Sequence, residues 1–256
     1  MTESPSVVRR AGALLRALAA HEPSGASTTA LADAAEVPRP TAHRLLIALS
    51  AEDLVERDVD SGAWHLGSEC FLLGAAATNR HDVTPLARAT VRRLAAETGE
   101  SAFFSVRRGD ETVCVLREDG SFPIRSHVLH EGIRFPLGVA SASLAVLALL
   151  PDRERETYLA STDLEREFGV EHGVGPLSAR VAATRDRGYA VNPGLIVEGS
   201  WGLGAAVLDG HDTPRWAVSL TGIEARIAPR QAELGEQLLR AAHGLSTQVA
   251  RSGRQR

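Results

Sequence analysis

Not one of the 256 residues is lysine, so all 28 basic side chains other than histidine are arginine. That excludes a P-loop, whose glycine-rich turn needs a lysine to reach the phosphates. Gly199-Ser200-Trp201-Gly202-Leu203-Gly204 is glycine-rich enough to suggest a nucleotide loop, but it runs into Ala205-Ala206-Val207, a strand pattern, instead of opening a helix. Only two cysteines occur, Cys70 and Cys114, without metal or redox spacing, and both read as reduced, buried side chains. No apolar run approaches the ~18 residues of a membrane span. The longest, at Ala145 to Leu150, suits a core helix. Met1-Thr2-Glu3-Ser4-Pro5 lacks the apolar stretch of a secretory signal, which predicts a cytoplasmic protein.

Catalytic and metal patterns are missing as well. Gly138-Val139-Ala140-Ser141 is not a G-x-S-x-G elbow. His127 and His130, on a strand, would point to opposite faces, and His172 and His211 have no acid at a useful spacing. No cofactor, no metal and no enzyme activity are expected. The formal net charge is −4, and residues 1–67 hold six arginines against nine acids. The chain is therefore no general polyanion binder, and any affinity for a polyanion must come from locally clustered charge and from two copies acting together.

What is present is organised around residues 37–49. At 3.6 residues per turn, Ala42, Leu45, Leu46 and Leu49 form one stripe, and Pro40, His43, Arg44 and Ile47 face away from it, with Arg39 and Thr41 on the flanks. Pro38 and Pro40 fit only a first helical turn, so the polar groups gather at the N-terminal end. That end enters the major groove in helix-turn-helix proteins. Upstream, Val7 to Ala20 has the spacing of an amphipathic helix. Thr28 or Thr29 is expected to cap a short helix, Ala30 to Ala35, that buries Leu31 and Ala34. Downstream, Leu54 to Asp58 and Ala63 to Gly67 read as two strands about an Asp60-Ser61-Gly62 turn. Three helices and a hairpin make a winged helix-turn-helix. Ser68 to Ala77 reads as a linker helix, and its apolar segment Phe71 to Ala77 is the expected dimerising surface.

The remainder mixes helices and short strands without a βαβ rhythm, which predicts an α+β domain. Thr84 to Glu97 is helical and stops at Gly99; strands follow at Ser101 to Val106, Thr112 to Leu116 and Ile124 to Leu129 in an antiparallel meander. Ala140 to Leu150 and Pro176 to Arg187 are helical, Gly204 to Leu208 and Arg215 to Leu220 pair as strands, and Pro229 opens a last helix to about Ala250.

These residues, in order, resemble the IclR-type bacterial transcriptional regulators over nearly the whole chain. The resemblance is carried by Thr41-Ala42-His43-Arg44-Leu45-Leu46, Leu54-Val55-Glu56-Arg57-Asp58, Ser61-Gly62, Leu66-Gly67, Glu97-Thr98-Gly99-Glu100, Phe135-Pro136-Leu137 and Arg187-Gly188-Tyr189-Ala190. It implies an α+β protein with a winged helix-turn-helix at 1–67, a linker helix at 68–80 and a GAF-like effector domain with an antiparallel sheet at 81–256. It implies a homodimer or tetramer that binds double-stranded operator DNA, as a repressor, under control of a small organic acid. DNA contacts are expected at Thr28, Arg39, Pro40, Thr41, His43 and Arg44. By the same resemblance, effector contacts fall on Ile124, His127, Ser141, Ala142, Asn192, Ser200, Gly202, Ser219 and Thr221. The hydroxyls of Ser219 and Thr221 alternate onto one face of a strand, and Ser141 lies near a helix N-terminus, where N–H groups favour a carboxylate. Four positions depart from the family. Glu36 replaces a turn glycine, Pro40 stands where many members have Ser or Lys, and Gly138 and Leu144 stand where most have His and Lys, which predicts a roomier or less charged pocket. Without the resemblance, a second class stays open: a small-molecule sensor or hydrolase-like enzyme whose N-terminal helices only mediate protein contacts.

Overall fold

Ser6 starts the first helix: its hydroxyl accepts from the Arg9 N–H at 3.2 Å, and α1 (Val7–Ala19) turns Leu14 and Leu18 inward. The computed structural model describes residues 6–81, 83–123 and 128–254, and the chain divides into two units at 82/83. In the first, α2 (Thr28–Ala34) is capped by Ser27, whose Oγ accepts from Ala30 N–H at 3.2 Å, and not by Thr28 or Thr29. Leu31 and Ala32 are its buried residues, and the expected Ala34 is exposed. The reason is the turn, which folds back over the other edge: buried Val37 donates its N–H to the Ala32 carbonyl at 2.9 Å. Glu36 makes that reversal with φ of 52°, in the left-handed region.

Helix α3 (Arg39–Ala51) follows, with Ala42 and Leu46 buried and Leu45 and Leu49 packed at the margin of the same core. The hairpin β1 (Val55–Arg57) and β2 (Trp64–Leu66) is antiparallel as expected. The sequence reading missed a third edge: Ala26 and Trp64 exchange N–H···O bonds of 3.0 and 2.8 Å, tying the α1–α2 loop to the hairpin. Helix α4 (Ser68–His81) closes the unit.

The second unit is a six-stranded antiparallel sheet ordered β5-β4-β3-β8-β7-β6. Its elements are α5 (Thr84–Thr98), β3 (Ser101–Arg108), β4 (Glu111–Glu118), β5 (Arg134–Pro136), α6 (Ser141–Leu149), α7 (Asp152–Ser161) and α8 (Glu165–Phe168). After a 3-10 turn (Val170–His172) come α9 (Val174–Arg187), β6 (Ala190–Pro193), β7 (Ser200–Leu208), β8 (Pro214–Ile223), α10 (Glu224–Ile227), a second 3-10 turn (Ala228–Arg230) and α11 (Gln231–Arg254). Of the expected strand from Ile124 to Leu129, residues 124–127 lie outside the described residues and Val128 and Leu129 are not in a strand. The third strand of the meander is β5, on the edge of β4. The acid-rich α7, the short α8 and the four-residue β6 were not read from the sequence.

Alternation along the strands makes two cores. Phe104, Val218, Leu220 and Leu203 face α5 and α11, and Phe103 and Ala217 face α6 and α9. Ser219 and Thr221 are in step with Ala217, so their side chains belong to the α6 side of the sheet. Helix α6 reaches that side very closely because β7 offers it glycines. A Cβ on Gly202 would stand 3.0 Å from Ser141 Oγ, and one on Gly204 would run into the Ser141 carbonyl and lie 2.8 Å from the Ala142 nitrogen.

Two measurements check this account. Glycine tolerates the left-handed region that Glu36 occupies, so Glu36→Gly should raise the unfolding free energy by about 0.5–1 kcal/mol in urea titrations followed by Trp64 fluorescence; an unchanged or lower value would contradict it. Gly204→Ala forces α6 off its seat and should cost about 2 kcal/mol, whereas an unchanged melting temperature would show that α6 has room to spare.

Candidate nucleic-acid interface and ligand pocket

Helix α3 begins without a side-chain cap, because Pro38 holds the cap position and Pro40 sits in the first turn. Pro40 carries no N–H, and the Thr41 and Ala42 N–H groups donate to the Pro38 carbonyl at 2.8 and 2.9 Å, so what the start of α3 presents beyond its end is the helix dipole and the side chains of its first turn. Arg39, Pro40, His43 and Arg44 are exposed and Thr41 is half-buried, the division that the apolar stripe predicts. Arg39 is aimed by its neighbour helix: its Nε donates to Thr29 Oγ1 at 3.1 Å. Ile47, one turn on, is 51% exposed and extends the presented face with apolar surface.

Thr28 has a different setting. Its hydroxyl accepts from the indole of buried Trp64 at 2.9 Å, which fastens the start of α2 to the hairpin. Arg57 lies over the Trp64 ring, 5.7 Å from its centroid, and its Nε donates to the Gly62 carbonyl at 3.1 Å. The Glu22 carboxylate accepts from the Leu66 N–H at 2.7 Å and pairs with His65 at 3.2 Å; the Leu66 bond is the main cause holding its pKa below the usual value. Hairpin and helix start are thus braced by polar contacts that no sequence pattern announced.

In the second unit a partly open hollow with about 290 Å³ of space lies where α6 starts above β6, β7 and β8. Five of the nine residues expected at the effector line it: Ser141, Asn192, Ser200, Gly202 and Thr221. The sheet register explains the grouping, since Asn192, Gly202 and Thr221 are direct neighbours across β6, β7 and β8. Asn192 spends its amide on the walls: Nδ2 donates to the Val139 carbonyl at 2.8 Å and Oδ1 accepts from Leu195 N–H at 3.0 Å. Ala140, the residue before α6, has no side-chain acceptor to cap it, and Ser143 Oγ turns back to the Ala140 N–H at 2.9 Å, so no side-chain cap covers the first-turn N–H groups of α6 at the hollow.

Ser219 is brought near but not into the hollow. It is fully buried opposite Gly204, with no hydrogen-bond partner for its Oγ. Ala142 belongs to the apolar core on the α6 side. Ile124 and His127 lie outside the described residues. The apolar walls were missed: Val128, Leu129, Ala140, Ile196 and Val197. The last two sit between Gly194 and Gly199, both at φ of 76°, and an apolar triplet between two turn glycines was the available signal.

The inference drawn from Gly138 and Leu144 is corrected. Leu144 is buried in the core beneath α6, and Gly138, at φ of 94°, packs where a Cβ would lie 2.8 Å from Leu177. Neither lines the hollow, so neither sets its size. The absence of charge among the described lining residues comes from the residues that do line it. Cys114 is buried, and burial raises its pKa to about 12, which leaves it a thiol and no nucleophile. Among the described residues there is no cluster of three metal-ligating side chains and no helix long and apolar enough to cross a membrane.

Comparison with known proteins finds a family match in each unit. The IclR helix-turn-helix domain matches residues 7–59, and the bacterial transcriptional regulator IclR C-terminal domain matches residues 75–247. The HTH-type transcriptional repressor AllR of Klebsiella pneumoniae is 29% identical over 253 residues, covering 96% of this chain and 92% of its own. An IclR transcriptional regulator from Alicyclobacillus acidocaldarius shares the fold with a TM-score of 0.77 at 24% identity, over 95% of this chain and 97% of that one. An IclR homolog from Microbacterium hydrocarbonoxydans, complexed with 4-hydroxybenzoate, has a TM-score of 0.74 at 21% identity, over 96% of this chain and all of the other. The two family matches together span nearly the whole chain, which therefore belongs to the IclR family of bacterial transcriptional regulators: DNA-binding proteins with an effector-binding C-terminal domain, not enzymes.

Proposed function

We propose that this regulator is a cytoplasmic repressor that binds its operator as a dimer or tetramer and lets go when a small aromatic or branched organic acid enters the hollow beside α6. The observation that carries this is the chemistry of the hollow: an uncapped helix start and the hydroxyls of Ser141, Ser200 and Thr221, within walls of Leu129, Ile196 and Val197. Neutral donors and a helix dipole suit a carboxylate, and the apolar walls suit a ring or branched chain. The 4-hydroxybenzoate in the Microbacterium homolog is a ligand of that kind. The repressor reading rests on AllR.

On the DNA side, Arg44, His43 and Thr41 read base edges, Pro40 packs beside them, and Arg39, steadied by Thr29, holds a phosphate. Thr28 contributes from the start of α2, where Trp64 fixes its hydroxyl. One acidic module with a single reading helix is too weak alone, and α4 carries the means of pairing: Phe71, Leu72 and Leu73 are 76%, 56% and 54% exposed.

Two sets of variants test the proposal. Arg44→Ala should cost about 1–3 kcal/mol of operator affinity and relax preference at one base position, whereas Arg39→Ala should weaken all sequences alike and flatten the salt dependence. If neither changes a mobility shift on the protein's own upstream DNA, α3 is not the reading helix. Thr221→Val should keep operator affinity while removing the response to the effector, and a response that survives it moves the effector site elsewhere.

A further inference from the structure

Helix α3 carries four large aliphatic side chains, and three of them belong to the core. Leu46 is fully buried, and Leu45 and Leu49 pack at the margin of the same cluster. Ile47 does not join them and stands 51% exposed. Its place on the helix is particular: Pro40, His43, Arg44 and Ile47 are spaced i, i+3, i+4 and i+7, so they share one stripe, and all four are exposed. Local preference does not account for an isoleucine there. A β-branched residue forms helix less well than the alanine or arginine found elsewhere on α3, and an exposed side chain gains only part of the burial that would offset the difference. What Ile47 offers instead is a stiff apolar surface. Branching at Cβ leaves one strongly preferred rotamer in a helix, so little freedom is lost when a partner covers it.

The stripe lies within residues 7–59, which match the family's helix-turn-helix domain, and the inference rests on the proposal above that α3 is its reading helix. In the major groove three of the four bases present only donors and acceptors; thymine alone adds an apolar group, its C5-methyl. Arg44 and His43 can take polar edges. Only the methyl is a partner that Ile47 covers without stripping a polar group of water. We propose that Ile47 is a specificity-determining residue that reads a thymine methyl in each operator half-site. Ile47 is three residues beyond Arg44, a rise of ~4.5 Å along the helix. Base pairs are about 3.4 Å apart, so the thymine stands within about two base pairs of the base that Arg44 reads.

The test uses the full chain. Sites are selected from random duplex DNA with the unaltered protein, with Ile47→Ala and with Arg44→Ala. Each thymine of the site chosen by the unaltered protein is then replaced singly by deoxyuridine, which lacks only the methyl. For the unaltered protein one such replacement, within about two base pairs of the Arg44 position, should raise Kd about three- to fivefold, the worth of one buried methyl group. Ile47→Ala should bind the thymine site more weakly by at least that factor, should be indifferent to the same deoxyuridine, and should select sites without the thymine preference. Alanine is the better helix former, so this variant folds. The absence of any sensitive thymine overturns the proposal, as does a thymine whose replacement costs Ile47→Ala the same factor. An Ile47→Ala protein that falls to a smaller oligomer also overturns it, by showing that the side chain covers a second copy. The two readings fail separately. If Arg44→Ala loses a base preference while Ile47→Ala selects the unaltered site, α3 reads DNA without Ile47; if neither variant changes the selected site, the reading helix lies elsewhere and both fall.

Discussion

The closeness of α6 to β7 is the constraint on which the C-terminal unit depends. Its first turn rests on Gly202 and Gly204, where a methyl group at the second position would already collide with the Ser141 carbonyl. The hollow on that side follows from the contact. The contact brings the uncapped helix start over the sheet, sets Ser141 beside the Asn192, Gly202 and Thr221 row, and leaves the hollow where the helix and the Ile196 loop part. The rest of α6 is buried from Ser141 to Ala148, so the helix is held by apolar packing and its dipole is free to act on a ligand. Asn192 completes the arrangement by bonding to the peptide groups of Val139 and Leu195 on either side.

In the N-terminal unit the comparable part is played by Trp64. One buried indole bonds Thr28, carries Arg57 on its face and pairs through its backbone with Ala26, so the helix that precedes the reading helix and the hairpin form one body. Helix α3, the reading helix in our proposal, is then presented by rigid surroundings, and Arg39 is held by Thr29 in the absence of DNA. Such preparation lowers the ordering cost of binding. It is useful in a unit whose overall charge repels a polyanion.

Much of this was legible in the sequence, for identifiable reasons. The stripe of Ala42, Leu45, Leu46 and Leu49 has a period that only a helix satisfies, and Gly99 and Gly188 end their helices in the left-handed conformation that favours glycine. Period-two spacing put Ser219 and Thr221 on one face, and the sheet bears that out. What the pattern lacked was depth. It could not say that Thr221 reaches a hollow while Ser219 is sealed under α6, since that depends on how far α6 descends. Nor could it rank Ser27 above Thr28 as a cap, because adjacent hydroxyls differ only in backbone geometry. Gly138 and Leu144 misled for a related reason: family positions carried over from sequence say nothing about which way a side chain turns once the core has closed.

Regulation requires the two units to communicate, and a ligand can shift DNA affinity only by as much as it prefers one state of the protein over the other. The most direct test is fluorescence anisotropy of the upstream operator fragment, titrated with the unaltered protein in the presence of aromatic and branched carboxylic acids, each also tested for binding by thermal shift. The account predicts that an acid which stabilises the protein also raises the operator Kd, by about fivefold or more. An acid that binds and stabilises the protein while leaving the operator Kd unchanged would contradict it.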